Sequence, residues 1–235
     1  MNKIILFSWG KIDFYSHGVF LSLGIIIAGL LTWQLAKKHQ LNSRWLADNL
    51  VYLILVGLIG GRLGYVLFYP QQITDFWQIF AVWEGGLVSW GAMAAGLIFA
   101  CLSLIRQKNL SRWLDVLMVG FLFGLAVARV GGFLAGDVYG VTSNNIIAIN
   151  NRLPVALIES IFTFGLGLWL LFRFNRFSEG MIFWTGLVGY GILRGLLGFW
   201  RVEGSWGTIK FDQIIAIIII ISSLTLLLRR AGKKR

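Results

Sequence analysis

A single cysteine, Cys101, leaves no partner for an internal disulfide and rules out a cysteine-ligated metal cluster. Lying inside an apolar run, it reads as a buried structural thiol. Two prolines, with glycines that follow no repeat, exclude a Pro-rich or collagen-like chain. Charge is scarce too: Asp, Glu, Lys and Arg make up 13% of the 235 residues, against roughly 25% in a water-soluble domain. No P-loop, dinucleotide-binding glycine pattern or zinc-ligand spacing is present. What fills the chain instead is apolar: 57% of residues are hydrophobic, and many of the 29 glycines lie inside apolar runs, where close helix contacts in lipid use them.

The apolar runs predict an all-α, polytopic integral membrane protein of about seven transmembrane helices, near residues 18–36, 46–69, 86–105, 113–134, 154–174, 180–200 and 212–229. At about 1.5 Å per residue each is long enough to cross roughly 30 Å of hydrocarbon. The first run is too long, and too poorly followed by a small-residue cleavage site, to be a removed signal peptide. One transmembrane domain covering 1–235 is the economical reading, with an outer loop at about 135–153 and a basic tail at 229–235.

Loop charge sets the expected orientation, because Lys- and Arg-rich loops stay cytoplasmic. Thirteen basic residues fall on one side, including Lys37, Lys38, Arg44, Arg173, Arg176 and the tail, and five on the other: Lys3, Lys11, Arg152, Arg201 and Lys210. An odd number of spans then puts the N-terminus out and the C-terminus in. The net charge of +11 is explained by topology and by attraction to anionic lipid headgroups, with no need for nucleic acid.

Three basic residues remain, Arg62, Arg129 and Arg194, and all lie within spans. At a lipid-facing helix centre each costs roughly 2.5 to 3.5 kcal/mol, so together they must face protein, water or an anion. Arg62 precedes Tyr69 by seven residues, about 10 Å below the outer end of its span. Arg129 and Arg194 lie at similar depth, Glu159 and His17 sit near the outer starts of the fifth and first spans, and Asp137 and Arg201 lie just beyond the fourth and sixth. This coincidence of depth predicts one polar chamber opening outward, either a site or a structural ion-pair knot. Arg62 has bland alternatives: snorkelling, or pairing with Glu84 or Glu159. Glu159 is the only acid well inside a span, so the arginines call for an anion. Phosphate is the anion a membrane offers, and it fits the guanidinium fork.

The runs Gly60-Gly61-Arg62-Leu63-Gly64-Tyr65, Trp83-Glu84-Gly85-Gly86, Ala128-Arg129-Val130-Gly131-Gly132-Phe133-Leu134-Ala135-Gly136-Asp137-Val138-Tyr139-Gly140, Pro154 to Glu159, and Tyr190-Gly191-Ile192-Leu193-Arg194 with Arg201 resemble, in order and spacing, the prolipoprotein diacylglyceryl transferase family. The resemblance spans nearly the whole chain. It implies a multi-pass enzyme of the bacterial cytoplasmic membrane that moves the diacylglyceryl group of phosphatidylglycerol onto the lipobox cysteine of prolipoproteins. Its partners would be phosphatidylglycerol, prolipoprotein signal peptides and membrane lipids, and it implies no cofactor or metal. By position, Arg129 and Arg194 match the family's essential arginines, Asp137 the acid of its signature, Gly140 its closing glycine and Tyr190 the tyrosine of the sixth span. Arg62, Glu84, Glu159 and Arg201 match recurrent family positions.

The chain departs from the pattern Gly-Arg-x-Gly-Asn-Phe-x-Asn-x-Glu-x-x-Gly, with Ala128, Gly132, Ala135 and Asp137 in place of Gly, Asn, Asn and Glu. Trp90-Gly91-Ala92 stands where the family has His-Gly-Gly, and Gly198 where a Glu follows Arg194. A missing base is tolerable, because ionising a thiol of pKa about 8.5 at pH 7 costs only about 2 kcal/mol. His17, where the family has a tyrosine, is a candidate substitute base, the alternative being an interfacial imidazole with no chemical role; Asp137 is better suited to orient Arg129. A relative that binds anionic lipid or signal peptides without turnover is the alternative, and a transporter a remoter one, since the inner halves of the spans carry few ionisable residues. Gly120 with Gly124 and Gly191 with Gly195 fit close helix packing. Trp77, Trp83, Trp113, Trp200 and Trp206 suit interfacial belts, and His39 reads as solvated.

Overall fold

In the computed structural model, the structure describes residues 5–9, 12–82, 85–105, 107, 109–136, 140–202, 205–206 and 209–232. Among these are seven α-helices: α1 (Ser16–Lys38), α2 (Arg44–Phe68), α3 (Ser89–Leu104), α4 (Leu110–Ala135), α5 (Val155–Phe172), α6 (Met181–Gly198) and α7 (Phe211–Gly232). Two small antiparallel hairpins, not anticipated from the sequence, precede α1 and α7: β1 (Ile5–Trp9) with β2 (Ile12–Tyr15), and β3 (Ser205–Trp206) with β4 (Ile209–Lys210). The helices otherwise begin and end within a few residues of the expected spans.

Helix boundaries follow local chemistry. Both prolines sit outside helix interiors, where a missing N–H and a fixed φ do no harm. Pro70 opens the 3-10 turn Pro70–Gln72 after α2, and Pro154 immediately precedes α5. Lys37 and Lys38 occupy the last turn of α1, complementing the negative end of the helix dipole. The start of α6 is capped by a side chain from α4: the Asp115 carboxylate accepts from the Gly180 and Phe183 amides at 2.6 and 2.9 Å. α3 starts three residues later than the apolar run because Gly85 and Gly86 take φ of +88° and +69°.

Five helices, α1, α2, α4, α5 and α6, are long and apolar enough to cross a bilayer; α3 and the apolar part of α7, Gln213–Leu228, are shorter. α5 shows the solvent it was built for. Its inward face carries Ala156, Glu159, Ser160, Thr163, Gly167 and Leu170, whereas Ile161, Phe162, Phe164, Trp169 and Phe172 are exposed. Polar residues inside and large apolar residues outside reverse the pattern of a helix in water and suit one in hydrocarbon. The chain is a polytopic helical membrane protein.

The chain divides into two compact units, Met1–Leu35 with Leu114–Arg235, and Ala36–Trp113. In the first, α1 meets α4 closely enough that a Cβ on Gly124 would lie 2.6 Å from the Gly24 carbonyl oxygen and 2.8 Å from Ala28 Cβ. Gly120 faces Thr32 and Ala28 in the same seam, and Gly191 of α6 faces Ile220 and Ala216 of α7. The glycine pairs therefore serve helix packing, as expected. In the second unit, α2 and α3 pack through Gly60, Gly64 and Gly91. Trp113 is fully buried, edge-on to Trp45 at 4.8 Å between ring centroids, and so belongs to the unit's interior and not to an interfacial belt.

His39, after α1, is half-buried and not fully solvated. Its pKa is lowered by burial first, then by the charges of Arg112 and Lys38. A lowered folded-state value favours the neutral ring in the fold. The associated stability is whole above about pH 6.5 and is lost as pH falls through the folded value. Acidifying from about pH 7.5 to about pH 5.5 should lower the melting temperature in detergent more for the wild-type protein than for His39→Gln. Equal losses would remove this contribution.

Candidate active site

Glu159 lies in the second turn of α5, just beyond Pro154 and fully buried. An isolated carboxylate in such a place is costly, and stays ionised only if cations and donors surround it. Helices α4 and α6 and the segment just after α6 supply them. Arg129 of α4 brings Nε to 3.0 Å from Glu159 Oε1, an ion pair without hydrogen-bond alignment. Arg194 of α6 donates from Nη1 to Oε2 at 3.3 Å, and Arg201 Nη1 approaches the same oxygen at 3.9 Å. The Tyr190 hydroxyl donates to Oε1 at 3.2 Å. Tyr190 and Arg194 are four apart on α6 and share one face. The Arg129 side chain is 13% exposed while Arg194 and Arg201 are nearly closed off, so Arg129 is the guanidinium through which the cluster meets its surroundings.

The backbone around the cluster is fixed by packing. Gly140 bridges Arg201 in antiparallel fashion, and the Val141 amide donates to the Trp200 carbonyl at 2.8 Å. A Cβ on Gly140 would run into the Leu153 backbone and lie 2.9 Å from Val155 Cγ2. Its role is thus to let the segment between α4 and α5 lie against the start of α5, over the Leu153, Val155 and Leu197 core. Ser160, next to Glu159, ties α5 to α4 by donating to the Ala126 carbonyl at 2.6 Å.

Of the residues singled out from the sequence, Arg129, Glu159, Tyr190, Arg194 and Arg201 meet in this cluster. His17 lies at the exposed start of α1, its Nδ1 3.8 Å from where a Cβ on Gly132 would stand. The imidazole thus borders the space left open where the family signature has asparagine. Asp137 and Glu84 lie outside the described residues. Arg62 belongs to the other unit, where its guanidinium is held by backbone carbonyls. Gln213, which no motif marks, is a buried residue of α7. Its side chain packs against Gly198, with Cγ 2.8 Å from the Cβ position, filling the place where the family has a glutamate. The available signal was an amide at the start of an apolar span.

Fold and site together define a multi-pass membrane protein whose helices converge on an arginine-rich ionic cluster built around one buried carboxylate. Comparison with known sequences gives the family: the profile for prolipoprotein diacylglyceryl transferase matches residues 4–229, and the chain belongs to that family. It is similar to the phosphatidylglycerol--prolipoprotein diacylglyceryl transferase of Halalkalibacterium halodurans, at 30% identity over 95% of this chain and 85% of that relative. The proteins of the same name from Finegoldia magna and, as a second copy, Clostridium perfringens are each 28% identical, over 94% and 95% of this chain and 93% and 94% of theirs.

Proposed function

We infer that the chain transfers the diacylglyceryl group of phosphatidylglycerol to the lipobox cysteine thiol of prolipoproteins, at the outer face of the bacterial cytoplasmic membrane. The observation that carries this is the convergence of Arg129, Arg194, Arg201 and Tyr190 on Glu159, in a chain that matches the transferase family over residues 4–229. In the reaction the cysteine sulfur attacks the glycerol carbon that bears the phosphate. A C–S bond forms, the C–O bond breaks, and its electron pair goes to the departing glycerol phosphate while the thiol proton passes to a base. Preorganised guanidinium groups are the natural device for the charge that grows on the leaving oxygen. Arg129 and Arg194 take that part, Glu159 holds them in place, and His17 serves as the base. Asp137 takes the part of orienting Arg129.

The test is transfer of labelled diacylglycerol from phosphatidylglycerol to a lipobox peptide by the purified protein, with a cysteine-to-serine peptide as control. Cysteine-dependent labelling is expected. A second reading, a relative that binds anionic lipid without turnover, draws on the replacement of both signature asparagines by Gly132 and Ala135; phosphatidylglycerol binding with no transfer would select it.

The orientation carries its own prediction. With the N-terminus out and C-terminus in, a reporter fused after Arg235 should be cytoplasmic and one inserted near Asn144 should lie outside. Both reporters on the same side would overturn the topology.

A further inference from the structure

Arg62 lies near the C-terminal end of α2, 5% exposed. All three of its guanidinium nitrogens donate to backbone carbonyls of the segment joining α2 to α3. Nε donates to the Ile79 carbonyl at 3.2 Å, Nη2 to that of Gln78, and Nη1 to those of Gly85 at 2.5 Å and Gly86 at 3.3 Å. The Tyr65 ring lies beneath, its centroid 5.2 Å from the guanidinium carbon. The first two carbonyls end the 3-10 turn Phe76–Ile79, and that of Gln78 also accepts from the Ala81 amide at 3.2 Å. The second two come from consecutive glycines in the left-handed region, which turns their carbonyls toward Arg62. At Gly86 a Cβ would lie 2.7 Å from the Tyr65 ring and 2.8 Å from Arg62 Nη1. The loop is knit further by Tyr65 donating to the Gln72 side chain, and by Thr74, whose amide donates to Gln78 Oε1 at 2.9 Å.

A phosphate gripped by a guanidinium needs two parallel N–H groups on one edge. Here the Nε/Nη2 edge holds the Ile79 and Gln78 carbonyls and Nη1 holds the glycine pair, so a lipid phosphate would have to displace the loop. We propose that Arg62 is a positioning residue for the transfer reaction: it staples two separated stretches of the α2–α3 loop to α2 through their carbonyls, and is not a ligand of the lipid phosphate. The proposal rests on the transferase reading for its link to turnover, and on the hydrogen bonds alone for its account of the loop. It accounts for an arginine within a span that has no acidic partner among the described residues, and for two left-handed glycines in succession. Lysine cannot replace it, because one ammonium cannot address four carbonyls spread around a planar fork.

The test compares Arg62→Gln, Arg62→Lys and Gly86→Ala, with Gly96→Ala as control, since a Cβ there meets nothing within 4 Å. Gly86→Ala keeps the guanidinium but displaces the carbonyls from it, and so separates stapling from charge. The readouts are amide hydrogen exchange across Ile79–Val88, affinity for phosphatidylglycerol vesicles, and kcat and KM for transfer. All three variants should speed exchange in the loop about tenfold and lower kcat, with lipid affinity and KM within about twofold of wild type. A loss of lipid affinity in Arg62→Gln with normal binding by Gly86→Ala would make Arg62 a phosphate ligand and overturn the proposal. So would full activity in Arg62→Lys, or unchanged kcat in variants whose loop exchanges faster. Absence of transfer by the wild-type protein would instead fail the functional reading, leaving exchange and affinity to decide the staple.

Discussion

Replacing Glu159 by glutamine should reduce transfer about 100-fold and leave the protein less stable by about 3 to 5 kcal/mol. The carboxylate has Arg129 and Tyr190 at one oxygen and Arg194 and Arg201 at the other. An amide has the same shape but only one acceptor. Its NH2 group must face donors on whichever side it takes, so one pair of partners loses its anchor and meets a like dipole instead. Full burial of the position makes the loss large. Glu159→Asp keeps the charge but withdraws it by one methylene, which stretches contacts already at 3.0 and 3.3 Å. It should retain more stability than the amide and still turn over slowly. Unchanged melting temperature with turnover within about threefold for Glu159→Gln would show that the carboxylate does not hold the arginines.

The second large effect belongs to the arginines themselves. Arg129→Gln and Arg194→Gln should each lower kcat about 30- to 150-fold at saturating lipid, the equivalent of a charge-assisted hydrogen bond worth roughly 2 to 3 kcal/mol. The effect falls on kcat because the charge they meet grows as glycerol phosphate departs. Lysine at either position retains charge without the planar fork, and only partial rescue is expected. Arg129→Gln should also weaken binding of phosphatidylglycerol vesicles, being the more exposed of the two. Arg176→Gln, beyond α5 in a segment expected to be cytoplasmic, should change neither quantity. Equal kcat in wild type and both variants would separate the cluster from the chemistry.

Much of the fold could be read from the chain because hydrocarbon imposes a simple rule: each span must be an unbroken apolar run that satisfies its own backbone. The exception at α3 is instructive, since apolar character continues through Leu87 and Val88 while the left-handed glycines keep the backbone out of a helix. The arginines announced themselves by their cost in a span. What the sequence did not show was which groups repay that cost. Glu159 and Arg194 are 35 residues apart, and only the packing of α4, α5 and α6 decides that one acid serves three arginines. For Arg62, pairing with Glu84 falls on a residue outside the described ones. The partners of Arg62 among the described residues are main-chain carbonyls, which every residue carries and no residue type advertises. Gln213 was missed for a related reason: one amide at the head of an apolar run gives no hint that it fills the space beside a glycine on a neighbouring helix. Trp113 was misread because an aromatic near a span end serves an interface or a core equally well, and its contact with Trp45 alone decides between them.

The most direct test of the central claim is a single-turnover reaction of purified protein with phosphatidylglycerol and a lipobox peptide, following thioether formation and glycerol phosphate release together. The account predicts that the two products appear in equal amounts and at one rate, that a cysteine-to-serine peptide yields neither, and that Arg129→Gln and Arg194→Gln slow both in parallel. Phosphatidylglycerol that binds and remains intact in the presence of the cysteine peptide, across a range of pH, would contradict it.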